Sequence, residues 1–101
     1  MLITEKIDDH MARLSLDGRF DFHSHRDFRS AYDAVLARPE IHQIAIDFGR
    51  VDYLDSSALG MLLLLREKAE AGNKKVKLTN LTGSVKQVLE IANFGKLFTI
   101  E

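Results

Sequence analysis

The run Asp52-Tyr53-Leu54-Asp55-Ser56-Ser57-Ala58-Leu59-Gly60-Met61 decides how this chain is read. It carries a carboxylate and two adjacent hydroxyls from a turn directly into the apolar segment Met61-Leu62-Leu63-Leu64-Leu65. Asp or Ser just ahead of such a segment is a helix N-terminal signal, because a side-chain oxygen there accepts from the unpaired N–H groups of the first turn. The same groups, together with the helix dipole, favour a phosphate. A serine at this point therefore caps the helix or carries a phosphate that the helix end accommodates. The spacing predicts a helix through about Lys68, and Ala71-Gly72-Asn73 supplies a C-terminal signal.

Upstream, Ile41 to Phe48 reads as a strand, with Ile44, Ile46 and Phe48 on one face and Ala45 on the other. Its scarcity of polar side chains predicts a central strand covered on at least one side. Gly49-Arg50-Val51-Asp52 is read as the exit loop from this strand. Further back, Phe28, Ala31, Tyr32, Val35 and Leu36 follow helical spacing, which predicts a helix from about Ser24 to Ala37 with Pro39 just past its end. Met1 to Ile7 and Met11 to Leu16 read as two strands of a hairpin around Asp8-Asp9-His10, the second ended by Gly18. Downstream, Lys75 to Leu78 alternates as a short strand. Val85, Val88, Leu89 and Ala92 predict a third helix with a possible cap at Thr82. Asn93-Phe94-Gly95 breaks that helix, and Leu97 to Ile100 closes the chain as a short strand or packed tail. The order is β-β-α-β-α-β-α-β: an α/β chain with a mixed sheet and helices packed on it.

Composition narrows the function. The chain has 101 residues, a formal net charge of -1 and no cysteine. That length fits one small domain with its own core. The charge gives no support to general nucleic-acid binding. The lack of cysteine removes disulfides and thiolate metal sites. The longest apolar run, Ala58 to Leu65, is far short of the roughly 20 residues of a membrane span. No secretory signal is visible at the N-terminus. A soluble cytoplasmic domain, with no membrane insertion, is the expectation.

The chemistry-bearing residues divide as follows. On the central helix, Leu59, Leu62 and Leu63, with the stem of Arg66, are expected to form the buried face. Gly60, Met61 and Leu64 are then left as an exposed apolar patch beside Ser56 and Ser57, of the kind that marks a partner site. Packing of every leucine into the core satisfies the pattern equally. Asp55-Ser56-Ser57 is likewise satisfied by capping with no further role. A hydrolase with Ser56 as nucleophile would need a base in hydrogen-bond reach. His10, His23, His25 and His42 are available, but no Gly-x-Ser-x-Gly elbow is present, so the chain is read as no enzyme. His23 and His25 stand two apart, which does not place both on one helix face, and no third ligand accompanies them; neither a metal site nor a cofactor is expected.

Asp55-Ser56-Ser57-Ala58-Leu59-Gly60 behind an apolar strand resembles the signature of STAS domains, the anti-sigma factor antagonists. Gly18-Arg19-Phe20-Asp21 resembles the Gly-x-apolar-Asp of that family after its second strand. Asn80 to Val85, and Phe94-Gly95-Lys96-Leu97-Phe98, resemble its C-terminal segment. The one departure is Ala58, where many members have glycine. The resemblance spans residues 1–101 as one STAS domain and implies the STAS fold. It also implies a protein that binds an anti-sigma factor, often itself a serine kinase, and so frees a sigma factor. By that resemblance Ser56 is the phosphorylation site, with Ser57 the second choice. Asp21 and Asp55 match acidic positions around it, and a PP2C-type phosphatase reverses the modification. The partner-binding surface is expected at Ser57, Gly60, Met61 and Leu64. The alternative within the same resemblance is a non-catalytic subunit of a lipid-transport or stress-signalling complex.

Overall fold

The computed structural model describes residues 1–101. Five strands form one mixed sheet in the order β1-β2-β3-β4-β5. They are β1 (Leu2–Asp8), β2 (Met11–Phe20), β3 (Gln43–Leu54), β4 (Lys75–Thr79) and β5 (Thr99–Ile100). The first pair is an antiparallel hairpin closed by Asp9 and His10, and every later pair is parallel. Three helices cross between the parallel strands: α1 (His25–Leu36), α2 (Ser56–Ala71) and α3 (Gly83–Ile91). A 3-10 turn at Phe22–Ser24 leads into α1, and another at Phe94–Lys96 precedes β5. The α/β class, the mixed sheet and the element order are those read from the sequence.

β3 is the middle strand, and Ile44, Ala45 and Ile46 are fully buried. Ile44 and Ile46 belong to the core beneath the helices. Ala45 faces the other way, where Arg13 and Lys77 are its cross-strand neighbours. Long basic side chains cover apolar surface with their stems while their heads remain wet. α1 and α2 lie side by side, α1 against β1 and β2, α2 against β3 and β4. α1 buries Phe28, Tyr32 and Val35. The Phe20 ring at the end of β2 packs at a tilt with its centroid 4.9 Å from that of Phe28 and 6.2 Å from that of Phe48, and so ties strand, helix and central strand together.

Three expectations are corrected. Gly49-Arg50-Val51-Asp52 is not an exit loop. β3 continues through it to Leu54, which pairs with Phe20. Two register shifts, between Ser15/Asp17 and between Gly18/Arg19, let β3 carry extra residues opposite β2. Such bulges break the period of two, and Val51 and Leu54 are both buried although they stand three apart. For the same reason Gly18 does not end β2; its φ of +111° absorbs the second shift. On α2 the buried stripe is Ala58, Met61, Leu62, Leu65 and Ala69. It is turned by one residue from the predicted Leu59-Leu62-Leu63 face. Met61 is 6% exposed and Leu63 is 40% exposed. The cause is α1, which packs against α2 and covers the side carrying Met61.

Where α2 gives way to β4, the Lys74 side chain is 8% exposed, and its ammonium donates to the carbonyl oxygens of Arg38 and Ile41. It thus pins the segment after α1 to the start of β4. Replacing Lys74 with Met removes charge-assisted bonds and leaves those carbonyls without their donor. Urea denaturation is expected to show a loss of about 1.5–3 kcal/mol.

Candidate functional site

The site is built where two helix beginnings meet. Asp55 is the N-cap of α2, in extended conformation, and its Oδ1 accepts from the Ala58 N–H at 3.0 Å. Ser56 and Ser57 are therefore the first two residues of the helix, and neither is the cap. Their N–H groups have no intrahelical acceptor, as at every helix start. Ser56 is exposed and Ser57 half-buried.

Asp21 does the corresponding work on the other side. It caps the 3-10 turn that leads into α1, accepting from the His23 N–H at 3.0 Å. The buried Ser24 hydroxyl accepts from the Asp21 N–H at 3.3 Å and donates to the Arg19 carbonyl at 3.0 Å. Two bonds join the two beginnings. The Phe22 N–H donates to Asp55 Oδ2 at 3.3 Å, and the Asp55 N–H donates to the Phe20 carbonyl at 3.3 Å. Asp55 thus spends one carboxylate oxygen on its own helix and the other on the Asp21 turn. The predicted residues Asp21, Asp55, Ser56 and Ser57 are brought to one end of the molecule.

This division of labour has a testable consequence. Asp55→Ala removes the cap and the tie to Phe22, and should cost about 1–2 kcal/mol in chemical denaturation. Asp55→Asn keeps a capping oxygen and should retain most of that stability.

Around the serines lie residues that sequence reasoning did not single out. Phe22 is 69% exposed and Tyr53 40% exposed. The Arg19 guanidinium lies 4.1 Å over the Tyr53 ring, and its Nε is 3.6 Å from Asp21 Oδ2. A signal was present in the sequence: Phe22 stands outside the apolar stripe of α1, directly after Asp21.

Between α1 and α2 runs a groove of about 160 Å³ that begins at Ser57. Phe28, Tyr32 and Met61 make its floor; Gly60 and Leu64 line its α2 side, His25 and Arg29 its α1 side. Burial pushes the Tyr32 hydroxyl above the usual tyrosine range, aided by Asp33 and opposed by Arg29, so it stays neutral at physiological pH. Of the predicted patch, Gly60 and Leu64 are at the surface, while Met61 lies on the floor rather than outside. A larger cavity of about 500 Å³, lined by Asp17, Asp47, Arg50 and Asn80 among others, contains none of the predicted site residues. His23 and His25 are exposed at the start of α1, and the tilted rings of His10 and His42 lie with centroids 5.0 Å apart near the β1–β2 turn.

Residues 3–99 match the family described as "Mlab, STAS domain". The chain belongs to the STAS domain family. It is 46% identical over 87 residues to a STAS-domain containing protein of Pseudomonas aeruginosa strain UCBPP-PA14, an alignment that covers 86% of this chain and 84% of that one. Among solved structures, a putative anti-sigma factor antagonist from Thermotoga maritima superposes with a TM-score of 0.87 at 19% identity, over 97% of this chain and 84% of that one. The anti-sigma factor antagonist SpoIIAA in its unphosphorylated form superposes at 0.76 with 20% identity, over 99% and 87% of the two chains. The phosphorylated form of SpoIIAA, from Bacillus, also gives 0.76, with 19% identity over 99% and 91%. The fold is that of the anti-sigma factor antagonists.

Proposed function

We propose that this protein is an anti-sigma factor antagonist. In its unphosphorylated form it binds an anti-sigma factor or a partner-switching serine kinase. Phosphorylation of Ser56 releases it, and a PP2C-type phosphatase restores it. It acts by binding, in the cytoplasm, and catalyses no reaction of its own.

The observation that carries this reading is the placement of Ser56. It is exposed at the first position of α2, where Asp55 rather than a serine caps the helix, and it adjoins Ser57, which lines the α1–α2 groove. A kinase can reach such a hydroxyl, and a partner can cover it. A phosphate there adds about -1.5 to -2 charge. The helix dipole and the unpaired first-turn N–H groups tolerate it, so the fold persists. The equal likeness of this fold to SpoIIAA in both forms supports a switch without refolding. Asp21 and Asp55 already place two carboxylates nearby, and a third anionic group there opposes a partner shaped for a neutral hydroxyl.

The test is the intact mass of the protein purified from its own cells, with fragment-ion mapping of added phosphate. Phosphate on Ser56, absent after treatment with a PP2C-type phosphatase, is the expected result. Phosphate confined to Ser57 would move the acceptor by one residue. No phosphate under any growth condition would remove the switch.

A second reading is a permanent non-catalytic subunit of a lipid-transport or stress-signalling complex. The observation in its favour is a separate apolar edge at the C-terminal end, where Ile91 is 82% exposed and Leu97 and Ile100 are 39% and 37% exposed. Stable co-purification with transporter components, unaffected by Ser56→Asp, would select it.

A further inference from the structure

His10 and His42 are far apart in the chain, and the sheet brings them together. β2 and β3 begin side by side and parallel, with Met11 opposite Gln43, so the residues just before them are neighbours. The His42 N–H donates to the His10 carbonyl at 2.8 Å, which fixes one backbone against the other. The two ring centroids lie 5.0 Å apart at a tilt of 42°. With Zn–N bonds of about 2.0–2.1 Å and an angle near tetrahedral, two imidazoles on one zinc ion have centroids about 5 Å apart. The strand register thus holds the pair at chelating separation. Both side chains are exposed, so a turn of the His42 ring breaks no buried contact.

His10 is also oriented as a ligand. Its Nδ1 lies 2.9 Å from the Glu40 carbonyl oxygen. A carbonyl only accepts, so in the neutral ring Nδ1 carries the proton and Nε2 presents a lone pair. Metal-bound histidines are commonly held in this way, through a bond from the other ring nitrogen. Nε2 in turn faces Asp9 Oδ1 at 3.6 Å. Asp9 sits in the two-residue hairpin turn, with a φ of +56°. A nitrogen lone pair and a carboxylate are both acceptors, and a cation between them satisfies both. That cation is a proton or a metal, and the second imidazole points to the metal. The nearby basic groups do not compete for Asp9. Arg38 is paired with Glu40 at 2.9 Å, and the Lys74 ammonium is held by the Arg38 and Ile41 carbonyls.

We infer that His10 and His42 form a two-histidine site for a divalent transition metal that prefers imidazole, zinc foremost, with the Asp9 carboxylate offsetting its charge. The metal staples the β1–β2 turn to the start of β3, and water completes its coordination. The site lies at the opposite end of β3 from Ser56, so it stands or falls separately from the phosphate switch.

The test uses the full chain without an affinity tag. Zinc chloride is titrated calorimetrically, with magnesium chloride as the control. One zinc per chain is expected and no magnesium, which prefers oxygen ligands. His10→Gln and His42→Gln should each weaken zinc binding at least about tenfold, and Asp9→Asn by up to about tenfold. At zinc tenfold above its dissociation constant, the parent should unfold about 5–10 °C higher than without metal. At the same concentration each histidine variant should gain less than about 3 °C. Zinc should shift the ring nitrogen-15 resonances of His10 and His42 and leave those of His23 and His25 in place. Binding that survives His10→Gln and His42→Gln, or that moves His23 and His25 instead, would overturn the inference. Absence of saturable zinc binding would also overturn it, and would leave a proton as the cation between His10 and Asp9.

Discussion

Ser56→Asp is expected to lower affinity for the partner by about a hundredfold or more, with no change in the far-ultraviolet circular dichroism. The magnitude follows from bringing a like charge against a docking surface in a partly dehydrated interface, which costs several kcal/mol. The unchanged spectrum follows from the position: an anion at the first residue of a helix meets the positive end of its dipole. Ser56→Ala should bind as the parent does and should be insensitive to the kinase. Ser57→Asp should weaken binding as well, since Ser57 lines the groove, but Ser57→Ala should leave the kinase-dependent change in place. Isothermal titration with the four variants reads all of these. Equal affinity of Ser56→Asp and the parent would contradict the switch.

Phe20→Ala is expected to produce the largest loss of stability, about 3–5 kcal/mol, the usual cost of emptying a buried phenylalanine site. Phe20 is fully buried and touches both Phe28 and Phe48 through its ring. Its carbonyl accepts the Asp55 N–H, and the next residue is Asp21. The cavity therefore opens beneath the seam that joins the two helix beginnings. A chain of this size commonly has only about 5–15 kcal/mol of stability, so the variant loses a large fraction of it. Guanidinium denaturation measures the loss. The same variant should be a poorer kinase substrate, since the cavity loosens the Phe20 backbone to which the Asp55 N–H is bonded. A loss under about 1 kcal/mol would show that the aromatic cluster does not bind the seam together.

Features that depend on neighbours in the chain were legible in advance. α1 occupies His25–Leu36, one residue short at each end of the expected Ser24 to Ala37, because its stripe, its polar start and Pro39 all lie within one short segment. Asp55 could be read as a capping signal for the same reason. Thr82 stands at the predicted N-cap of α3, although its side chain makes no capping bond. Features that depend on distant partners were not legible. The extension of β3 past Gly49 exists only because β2 continues beside it with shifted register, and no alternation survives in the sequence to announce it. α2 is apolar on most sides, so its own residues do not say which side is buried; α1 decides that, and it puts Met61 inside and Leu63 outside. Phe22 and Tyr53 join the site through a turn and a strand end separated by about thirty residues, brought together by the Asp55 bond to the Phe22 N–H.

On the proposed switch, one phosphate on Ser56 governs binding. The most direct measurement is the dissociation constant of the homogeneously Ser56-phosphorylated protein for its partner, set beside that of the same preparation after phosphatase treatment. Affinity should be at least about a hundredfold weaker with the phosphate and should recover fully without it. Equal dissociation constants for the two forms would contradict it.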